Sequence, residues 1–238
     1  MSSGSPSARV PSPGAGSARA RAIRAAIALA LLSVLPTAMF AAARTLRWER
    51  GWAYLAVLTA GLTAHRAYVY RRNPELRQVR RRFGAGAPRW DLIWVPVFWA
   101  LMFAAPVAAG LDRSRGEGWW PFWIGVCGFA AGMAISARAM AVNPHFEGTV
   151  RVQRDRAQRV IDVGPYAVIR HPGYLGLILW ALATPLLLGS WRAAPSAVLT
   201  AGWVVLRTAL EDRLLRDELV GYKAYAQRVR ARLLPGLW

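Results

Sequence analysis

The 238-residue sequence is poor in acidic residues, in histidine and above all in cysteine. Its one cysteine, Cys127, lies within an apolar run and cannot form an internal disulfide, so cysteine usage gives no information on the redox compartment. The three histidines, His65, His145 and His171, are far apart, with no cysteine or carboxylate at metal-ligand spacing, and we therefore predict no metal site. A Gly-x-Ser-x-Gly nucleophile motif and a phosphate-cradling loop are also missing.

The basic residues, 31 against 12 acidic ones, give a formal net charge of +19 and collect in alternate loops. Seven arginines lie in residues 71–89 beside a single acid, Glu75, and six lie in residues 138–173. Because arginine-rich loops stay in the cytoplasm, this alternation predicts that these segments are cytoplasmic. No basic stripe belongs to a soluble domain, so we predict contact with anionic membrane lipids and no nucleic-acid partner.

Long apolar runs fill much of the remaining chain, in which 55% of residues are hydrophobic and 18% are charged. Six runs approach the roughly 20 residues that a helix needs to cross a bilayer. They are Ala25–Ala43, Gly51–Tyr70, Leu92–Gly110, Trp119–Ala137, Tyr174–Ser190 and Ala193–Leu210. The last two are short and joined by Ser190–Arg192, which predicts a helical hairpin that either spans the membrane or re-enters it. The fold class predicted is all-α, a polytopic transmembrane helical bundle of five to six spans.

Composition divides the chain into three segments. We predict a disordered tail over residues 1–20, N-terminal transmembrane helices over residues 21–137, and a C-terminal region over residues 138–238 with the hairpin and an amphipathic helix. The first apolar run is expected to be retained as a span, although Ala41–Ala43 is also compatible with signal-peptide cleavage. Three glycines in residues 125–132 follow no strand and are expected to allow close helix packing.

Residues 164–176, with the sequence Gly-Pro-Tyr-Ala-Val-Ile-Arg-His-Pro-Gly-Tyr-Leu-Gly, place basic side chains at the start of an apolar helix. Pro172 is suited to the first helical position, because its missing N–H would be unsatisfied there anyway. The free N–H groups and the partial positive charge of this helix end would face Arg170 and His171. The segment therefore predicts a seat for an anionic group at the membrane surface.

Acidic residues are concentrated just after the last apolar run. Four of the twelve fall within eight positions: Glu211, Asp212, Asp217 and Glu218. If the helix continues, one face carries two acids and two tyrosines: Glu211, Glu218, Tyr222 and Tyr225. Arg207 lies one turn before Glu211 and is expected to pair with it. Such a pair at the end of an apolar run is costly unless it faces a polar cavity; the alternative is a solvated amphipathic helix on the membrane surface.

Basic groups opposite carboxylates, with tyrosines between them, suit a zwitterionic ligand with a flat ring. S-adenosylmethionine fits this description, with its carboxylate at Arg170 or the helix N-terminus, its amine or ribose hydroxyls at Glu211, and its adenine against a tyrosine. A nicotinamide dinucleotide fits less well, because its pyrophosphate needs more cations and fewer carboxylates nearby.

The C-terminal hundred residues resemble the integral-membrane methyltransferases related to isoprenylcysteine carboxyl methyltransferase and the phospholipid methyltransferases. The matching pieces are Asn143–Phe146, Val150–Gln153, Gly164–Tyr166, Arg170–Gly176, Arg207 with Glu211–Leu215, and an ending, Gly221–Trp238, similar to that of bacterial members. The first half matches weakly, at Asn73–Leu76 and Arg89–Asp91. Where the family usually has two glutamates, this chain has Glu211 and Asp212, which puts the role of the second carboxylate in question.

The resemblance implies a C-terminal cytosolic cap that binds S-adenosylmethionine, opposite a lateral opening to the bilayer. It places a multi-pass protein in the cell membrane with the active site facing the cytoplasm. The cofactor-binding residues implied are Tyr166, Arg170, His171, Pro172, Tyr174, Gly176 and Glu211. The catalytic residues implied are Arg207, Glu211 and Arg151. The acceptor would be lipophilic or membrane-embedded, either a carboxylate of the isoprenylcysteine type, held by Arg151 or Arg207, or a lipid amine; the oligomeric state is open.

Two other functions compete with this interpretation. Membrane NADPH-dependent sterol or lipid double-bond reductases share a similar Arg-His-Pro-x-Tyr-x-Gly loop, but their pattern has asparagine and an acid where this chain has Gly173 and Leu177. A non-catalytic scaffold or a transporter is the third class. A transporter places its ionisable groups near the bilayer midplane, whereas here they crowd one surface.

Overall fold

A computed structural model describes residues 33–79, 86–112 and 120–238. The predicted disordered tail and the start of the first apolar run lie outside these residues. The chain divides into two compact units, Met1–Ala38 and Met39–Trp238. The helices that carry the candidate site all lie in the second unit.

Every regular element in the described residues is helical, which confirms the all-α prediction for that part of the chain. The longer helices are α1 (Ser33–Ala43), α2 (Glu49–Arg72), α4 (Arg89–Leu111), α5 (Trp120–Val142), α6 (Pro172–Leu188) and α7 (Ala194–Glu218). Two short helices, α3 (Leu76–Val79) and α8 (Tyr222–Arg228), follow α2 and α7. Three 3₁₀ turns lie at Arg154–Arg156, Gly164–Ala167 and Trp191–Ala193.

Three of the described helices are long and apolar enough to cross a membrane: α4, α5 from Pro121, and Trp191–Glu218, which is α7 with its preceding turn. Two shorter apolar helices, α1 and α6, accompany them. At 1.5 Å per residue, the 17 residues of α6 rise about 26 Å, slightly less than a hydrocarbon core of about 30 Å. The chain thus has the helices of an integral membrane protein, while the count of five to six spans stays a prediction.

The predicted hairpin is present as α6 and α7, which pack against each other and are joined by the 3₁₀ turn. Helix α7 also packs along α4, where two tryptophans exchange hydrogen bonds with each other's backbone. The indole N–H of Trp94 donates to the carbonyl of Trp203 at 2.8 Å, and the indole N–H of Trp203 donates to the carbonyl of Trp94 at 3.1 Å. These bonds fix the first turns of α4 beside the middle of α7.

Glycines bring α5 and α6 into close contact. A Cβ atom on Gly132 would lie 2.7 Å from the carbonyl oxygen of Gly176, and one on Gly176 would lie 2.6 Å from that of Gly132. A Cβ on Gly125 would be 2.9 Å from the backbone of α6, whereas Gly128 has only ordinary contacts. The close-packing interpretation is therefore confirmed for Gly125 and Gly132. The same contact explains why residue 176 is a glycine, while the implied role of Gly176 in cofactor binding stays a prediction.

Helix α7 ends at Glu218, and the chain turns before α8 begins at Tyr222. Gly221 makes the turn, with a φ of +83° that favours glycine. The predicted continuous face from Glu211 to Tyr225 is therefore wrong. Glu218 is exposed to solvent, while Tyr222 and Tyr225 are buried in a small core beside the end of α7.

Candidate functional site

Asp212 lies where the start of α6, the end of α7, α8 and the C-terminal tail meet, and it is only 1% exposed. Its Oδ1 accepts hydrogen bonds from Arg170 Nε at 2.8 Å and from the Tyr222 hydroxyl at 2.9 Å. Its Oδ2 accepts one from Arg232 Nε at 3.0 Å and lies 3.1 Å from Arg216 Nε. Three guanidinium groups thus surround one buried carboxylate, and the site keeps an excess of positive charge.

Arg170 ties the tail to this cluster. Its Nη1 donates to the carbonyl oxygens of Val229 and Arg230, at 2.7 and 2.8 Å. Its backbone N–H donates to the carbonyl of Ala231 at 3.0 Å. Since the Arg170 side chain is only 2% exposed and also binds Asp212, its donors serve the protein's own groups. The structure therefore places Arg170 as an anchor of the tail, and its predicted contact with the cofactor stays a prediction.

The N-terminus of α6 is also largely occupied by protein groups. The carbonyl of His171, the residue before the helix, accepts the N–H groups of Tyr174 and Leu175 at 3.1 and 3.2 Å. The His171 N–H donates to the carbonyl of Arg232 at 2.9 Å, and Pro172, which is buried, has no N–H to offer. This helix end therefore presents fewer free donors to an anion than the sequence predicts.

A tyrosine and a glutamate form the partly exposed side of the site, next to a buried histidine ring. The His171 ring stacks on the Tyr174 ring, with centroids 5.8 Å apart and planes 13° apart. His171 Nε2 lies 3.3 Å from Asp212 Oδ1 and 3.3 Å from the Tyr222 hydroxyl, and the Tyr174 hydroxyl donates to Glu211. Tyr174 and Glu211 are partly exposed, whereas His171 and Asp212 are buried. A ligand can therefore reach Tyr174 and Glu211 directly.

Tyr166 is buried and joins the loop after α5 to α8 by hydrogen bonds. Its hydroxyl accepts a hydrogen bond from Asn143 Nδ2 at 3.0 Å, and its carbonyl accepts one from the Tyr225 hydroxyl at 2.7 Å. Burial raises the pKa of Tyr166, and it likewise raises the pKa values of Tyr222 and Tyr225. All three phenols therefore stay protonated at neutral pH.

The predicted pairing of Arg207 with Glu211 is wrong, because Arg207 pairs with Asp91 at the start of α4. Its Nη2 lies 3.0 Å from Asp91 Oδ1 and donates to the carbonyl of Gly148 at 3.1 Å. Its guanidinium carbon lies 4.1 Å from the centroid of the Trp94 ring and 5.5 Å from that of Tyr174. Glu211 instead accepts a hydrogen bond from the Tyr174 hydroxyl, and the Arg207 side chain faces α4.

Arg151 is held by two carboxylates of its own segment. Nε and Nη2 donate to the two oxygens of Glu147, each at 2.9 Å, and Nη1 donates to Asp155 at 2.6 Å. These hydrogen bonds, first of all those from Glu147, raise the pKa of Arg151. The bidentate pairing fills most of the donors that an acceptor carboxylate would need, so Arg207 is the better placed of the two predicted arginines.

The sequence analysis gave Asp91 and Asn143 no role in the site and left the role of Asp212 open. One signal for Asp91 was available, because a lone acid in the first turn of an apolar helix is costly unless it is paired. Asp212 gave no such signal, since its partners Arg170 and Arg232 lie 42 and 20 positions away.

Comparison with known proteins bears on the same part of the chain. Residues 126–217 match the model of the isoprenylcysteine carboxyl methyltransferase (ICMT) family. A probable protein-S-isoprenylcysteine O-methyltransferase of Oryza sativa subsp. indica is 28% identical over 122 residues, which are 49% of this chain and 63% of the relative. Protein-S-isoprenylcysteine O-methyltransferase B of Arabidopsis thaliana is 26% identical over 115 residues, 47% of this chain and 58% of the relative. The matched residues span less than two thirds of the length of each of these relatives. The match to the family model confirms the resemblance to isoprenylcysteine carboxyl methyltransferases over residues 126–217.

Proposed function

We propose, from the match of residues 126–217 to the isoprenylcysteine carboxyl methyltransferase family, that the chain is an S-adenosylmethionine-dependent membrane methyltransferase. Its acceptor is a lipophilic molecule with a carboxylate, of the isoprenylcysteine type. The observation that carries the proposal is the partly exposed pair of Tyr174 and Glu211, stacked against His171 at the mouth of an apolar hairpin.

The charges around this pair fit the cofactor. Glu211 is the carboxylate that can accept hydrogen bonds from the amine or the ribose hydroxyls. Arg216 and Arg232 have side chains 40% and 28% exposed, so both can bind the methionine carboxylate while they pair with Asp212. The partly exposed ring of Tyr174 provides a flat surface on which an adenine can stack, and the buried His171 ring supports Tyr174 by stacking against it.

The geometry also favours a carboxylate acceptor over a lipid amine. Arg207 is a buried cation within the apolar part of the hairpin, and its Nε has no hydrogen-bond partner in the described residues. Although Asp91 balances the charge of Arg207, the free N–H donor can bind a carboxylate oxygen, whereas an ammonium group has only donors to offer. A carboxylate is ionised at neutral pH, so the reaction requires no general base.

The chemistry asks the protein mainly for positioning. S-adenosylmethionine would supply a methyl group on a positively charged sulfur. The acceptor oxygen would take that methyl group in line, and the sulfur would leave as the neutral thioether of S-adenosylhomocysteine. Arg207 holds that oxygen, while Glu211 and Tyr174 fix the donor side. Exclusion of water by the apolar hairpin strengthens these interactions, and alignment of the reacting atoms supplies most of the rate enhancement.

We further propose that the site opens to the cytoplasm, as a cap on a bundle of five to six spans. The arginine-rich loops that favour this orientation, residues 71–89 and 138–173, flank helices that meet at the site. Lipids and the lipophilic acceptor are then the partners of the chain, and the acceptor enters from the bilayer.

Calorimetric titration of detergent-purified protein with S-adenosylhomocysteine tests the cofactor site, with NADPH in a parallel cell. We expect saturable binding of S-adenosylhomocysteine that Glu211→Gln weakens by about 10- to 100-fold, since a hydrogen bond to a charged group contributes about 1.5–3 kcal/mol. The matched control is Glu218→Gln, one exposed acid two turns further along α7. Equal affinity in the two variants would contradict the site assignment.

Binding of NADPH alone would instead identify a reductase, and binding of neither ligand would favour the scaffold. The structure supplies an argument against the reductase pattern. A Cβ atom on Gly173 would lie 2.7 Å from the ring of Phe146, so the asparagine of that pattern would require this ring to move.

A further inference from the structure

We propose that Asp91, which lies outside the region matched to the family, is a positioning residue that orients Arg207 toward the acceptor carboxylate. The proposal rests on the proposed function, because it assigns Arg207 to the acceptor. Asp91 itself touches neither the donor nor the acceptor, and it acts through Arg207.

Asp91 joins three parts of the chain. It is fully buried in the first turn of α4, and its Oδ2 accepts the backbone N–H of Val150 at 2.7 Å. Its Oδ1 lies 3.0 Å from Nη2 of Arg207, which is on α7. One carboxylate therefore fixes the middle of α7 against α4 and against the loop before Arg151.

The other contacts of Arg207 restrict the guanidinium to one plane. Nη2 also donates to the carbonyl of Gly148 at 3.1 Å, and the Trp94 ring lies under the guanidinium carbon at 4.1 Å. With Nη2 held on one edge and a ring on one face, the direction of the Nε–H bond is fixed. Aromatic contact alone leaves the guanidinium free to rotate over the ring, so the carboxylate supplies the direction.

One buried polar atom of this pair, Nε of Arg207, lacks a hydrogen-bond partner among the described residues, whereas Asp91 Oδ1 lies 3.0 Å from Nη2 of Arg207. Native proteins rarely leave such groups unsatisfied, and each one asks for an explanation. An acceptor carboxylate at Nε satisfies the donor, and the geometry of the pair presents that donor before the acceptor arrives.

The Asp91–Arg207 pair carries no net charge. Its effect on the acceptor carboxylate is therefore to orient the N–H donor, and not to attract the carboxylate by charge. Without Asp91, Arg207 would be a bare cation that attracts anions more strongly but in no fixed direction. Asp91 is not a general base for this reaction, because an ionised carboxylate has no proton to lose. Loss of Asp91 should therefore lower the turnover of the acceptor and leave cofactor binding unchanged.

The first test compares Asp91→Asn with the matched control Asp112→Asn. Asp112 is also a buried aspartate, bonded to Ser190 and Arg192, and it follows the other end of α4, about 30 Å away. The probe is N-acetyl-S-farnesylcysteine, the smallest acceptor with a prenyl thioether and a free carboxylate. We expect Asp91→Asn to lower kcat/KM for this probe by 10- to 100-fold at unchanged affinity for S-adenosylhomocysteine, and Asp112→Asn to stay within twofold of the wild type.

A double-mutant cycle shows whether Asp91 acts through Arg207. In an Arg207→Gln background, adding Asp91→Asn should change kcat/KM by less than twofold, since there is no guanidinium left to orient. If the two losses multiply, or if Asp91→Asn alone keeps wild-type kcat/KM, the inference is overturned. Should the single variant fail to fold, the double variant removes both charges and restores a folded protein for the comparison.

The failure of the proposed function gives a different result. A folded wild-type protein that neither binds S-adenosylhomocysteine nor methylates the probe overturns the methyltransferase proposal, and the role of Asp91 with it. Wild-type activity that is unaffected by Asp91→Asn overturns the role of Asp91 alone.

Discussion

Replacing Asp212 with asparagine should detach the C-terminal tail from the helical hairpin. The substitution keeps the size and shape of the side chain and removes its charge. Arg170, whose side chain is 2% exposed, then loses the carboxylate 2.8 Å from its Nε and becomes an uncompensated buried cation. Arg232 loses its carboxylate at 3.0 Å in the same step.

The expected loss of stability follows from the burial of this pair. Removing one partner of a buried ion pair costs about 3–5 kcal/mol, because the other charge stays desolvated. In a domain of this size, 1 kcal/mol shifts the melting temperature by about 2–4 °C, so we expect a decrease of about 6–20 °C. The tail should open before the hairpin unfolds, since Arg170 also holds the carbonyls of Val229 and Arg230.

Thermal unfolding and limited trypsin digestion in detergent measure the two effects. Digestion should cut Asp212→Asn more rapidly after Arg228 and Arg230 than it cuts the wild type, in which Arg170 holds the adjoining backbone carbonyls. The control is Asp217→Asn, an exposed acid on the same helix, whose substitution should stay within about 0.5 kcal/mol of the wild type. If both variants melt together and their tails are equally protected, Asp212 does not hold the tail and our account of the cluster is wrong.

Two further predictions concern packing and pH. Gly176→Ala should destabilise the protein by about 1–3 kcal/mol in thermal unfolding, because its Cβ would lie 2.6 Å from a carbonyl oxygen of α5, whereas Gly202→Ala, which has no atom within 4 Å, should be neutral or stabilising. A destabilisation equal at both sites would show that helix contact is not the cause. Burial lowers the pKa of His145, so the unfolded chain takes up a proton before the folded one as the pH falls. The stability due to the neutral ring is therefore complete above pH of about 6.5 and declines below it, and His145→Gln should flatten the decrease in melting temperature between pH 7 and 5; an identical pH profile in the variant would contradict this.

The fold could be predicted in outline because apolar runs and breaker residues act locally. The runs predicted at Leu92–Gly110 and Ala193–Leu210 correspond to α4 and α7, and the turn at Ser190–Arg192 lies within the predicted hairpin. The error came at Gly221, whose positive φ ends the helical continuation that the acid and tyrosine spacing seemed to require. Spacing shows which residues would share a face, but it does not show that the helix continues.

The partners within the site could be predicted less well, because they are set by tertiary contacts. The motif correctly brought His171, Tyr174 and Glu211 to one place. It did not show that Arg170 would be used by the tail, or that Arg207 would turn to Asp91 on a helix far away in sequence. The buried pairs Arg170–Asp212 and Arg207–Asp91 join residues far apart in sequence, and such pairs follow from the packing of the bundle.

The two adjacent acids of α7 have separate tasks because of helix geometry. Successive side chains on a helix point about 100° apart, so Glu211 and Asp212 cannot face the same neighbours. Glu211 faces Tyr174 and is partly exposed, whereas Asp212 faces Arg170 and the tail and is 1% exposed. The shorter side chain therefore stands at the more crowded position, where a longer carboxylate would have to displace the guanidinium groups around it. The departure from two glutamates, which the sequence left as a question about function, is thus explained by packing: the second acid holds the tail against the hairpin, and the first is partly exposed beside Tyr174.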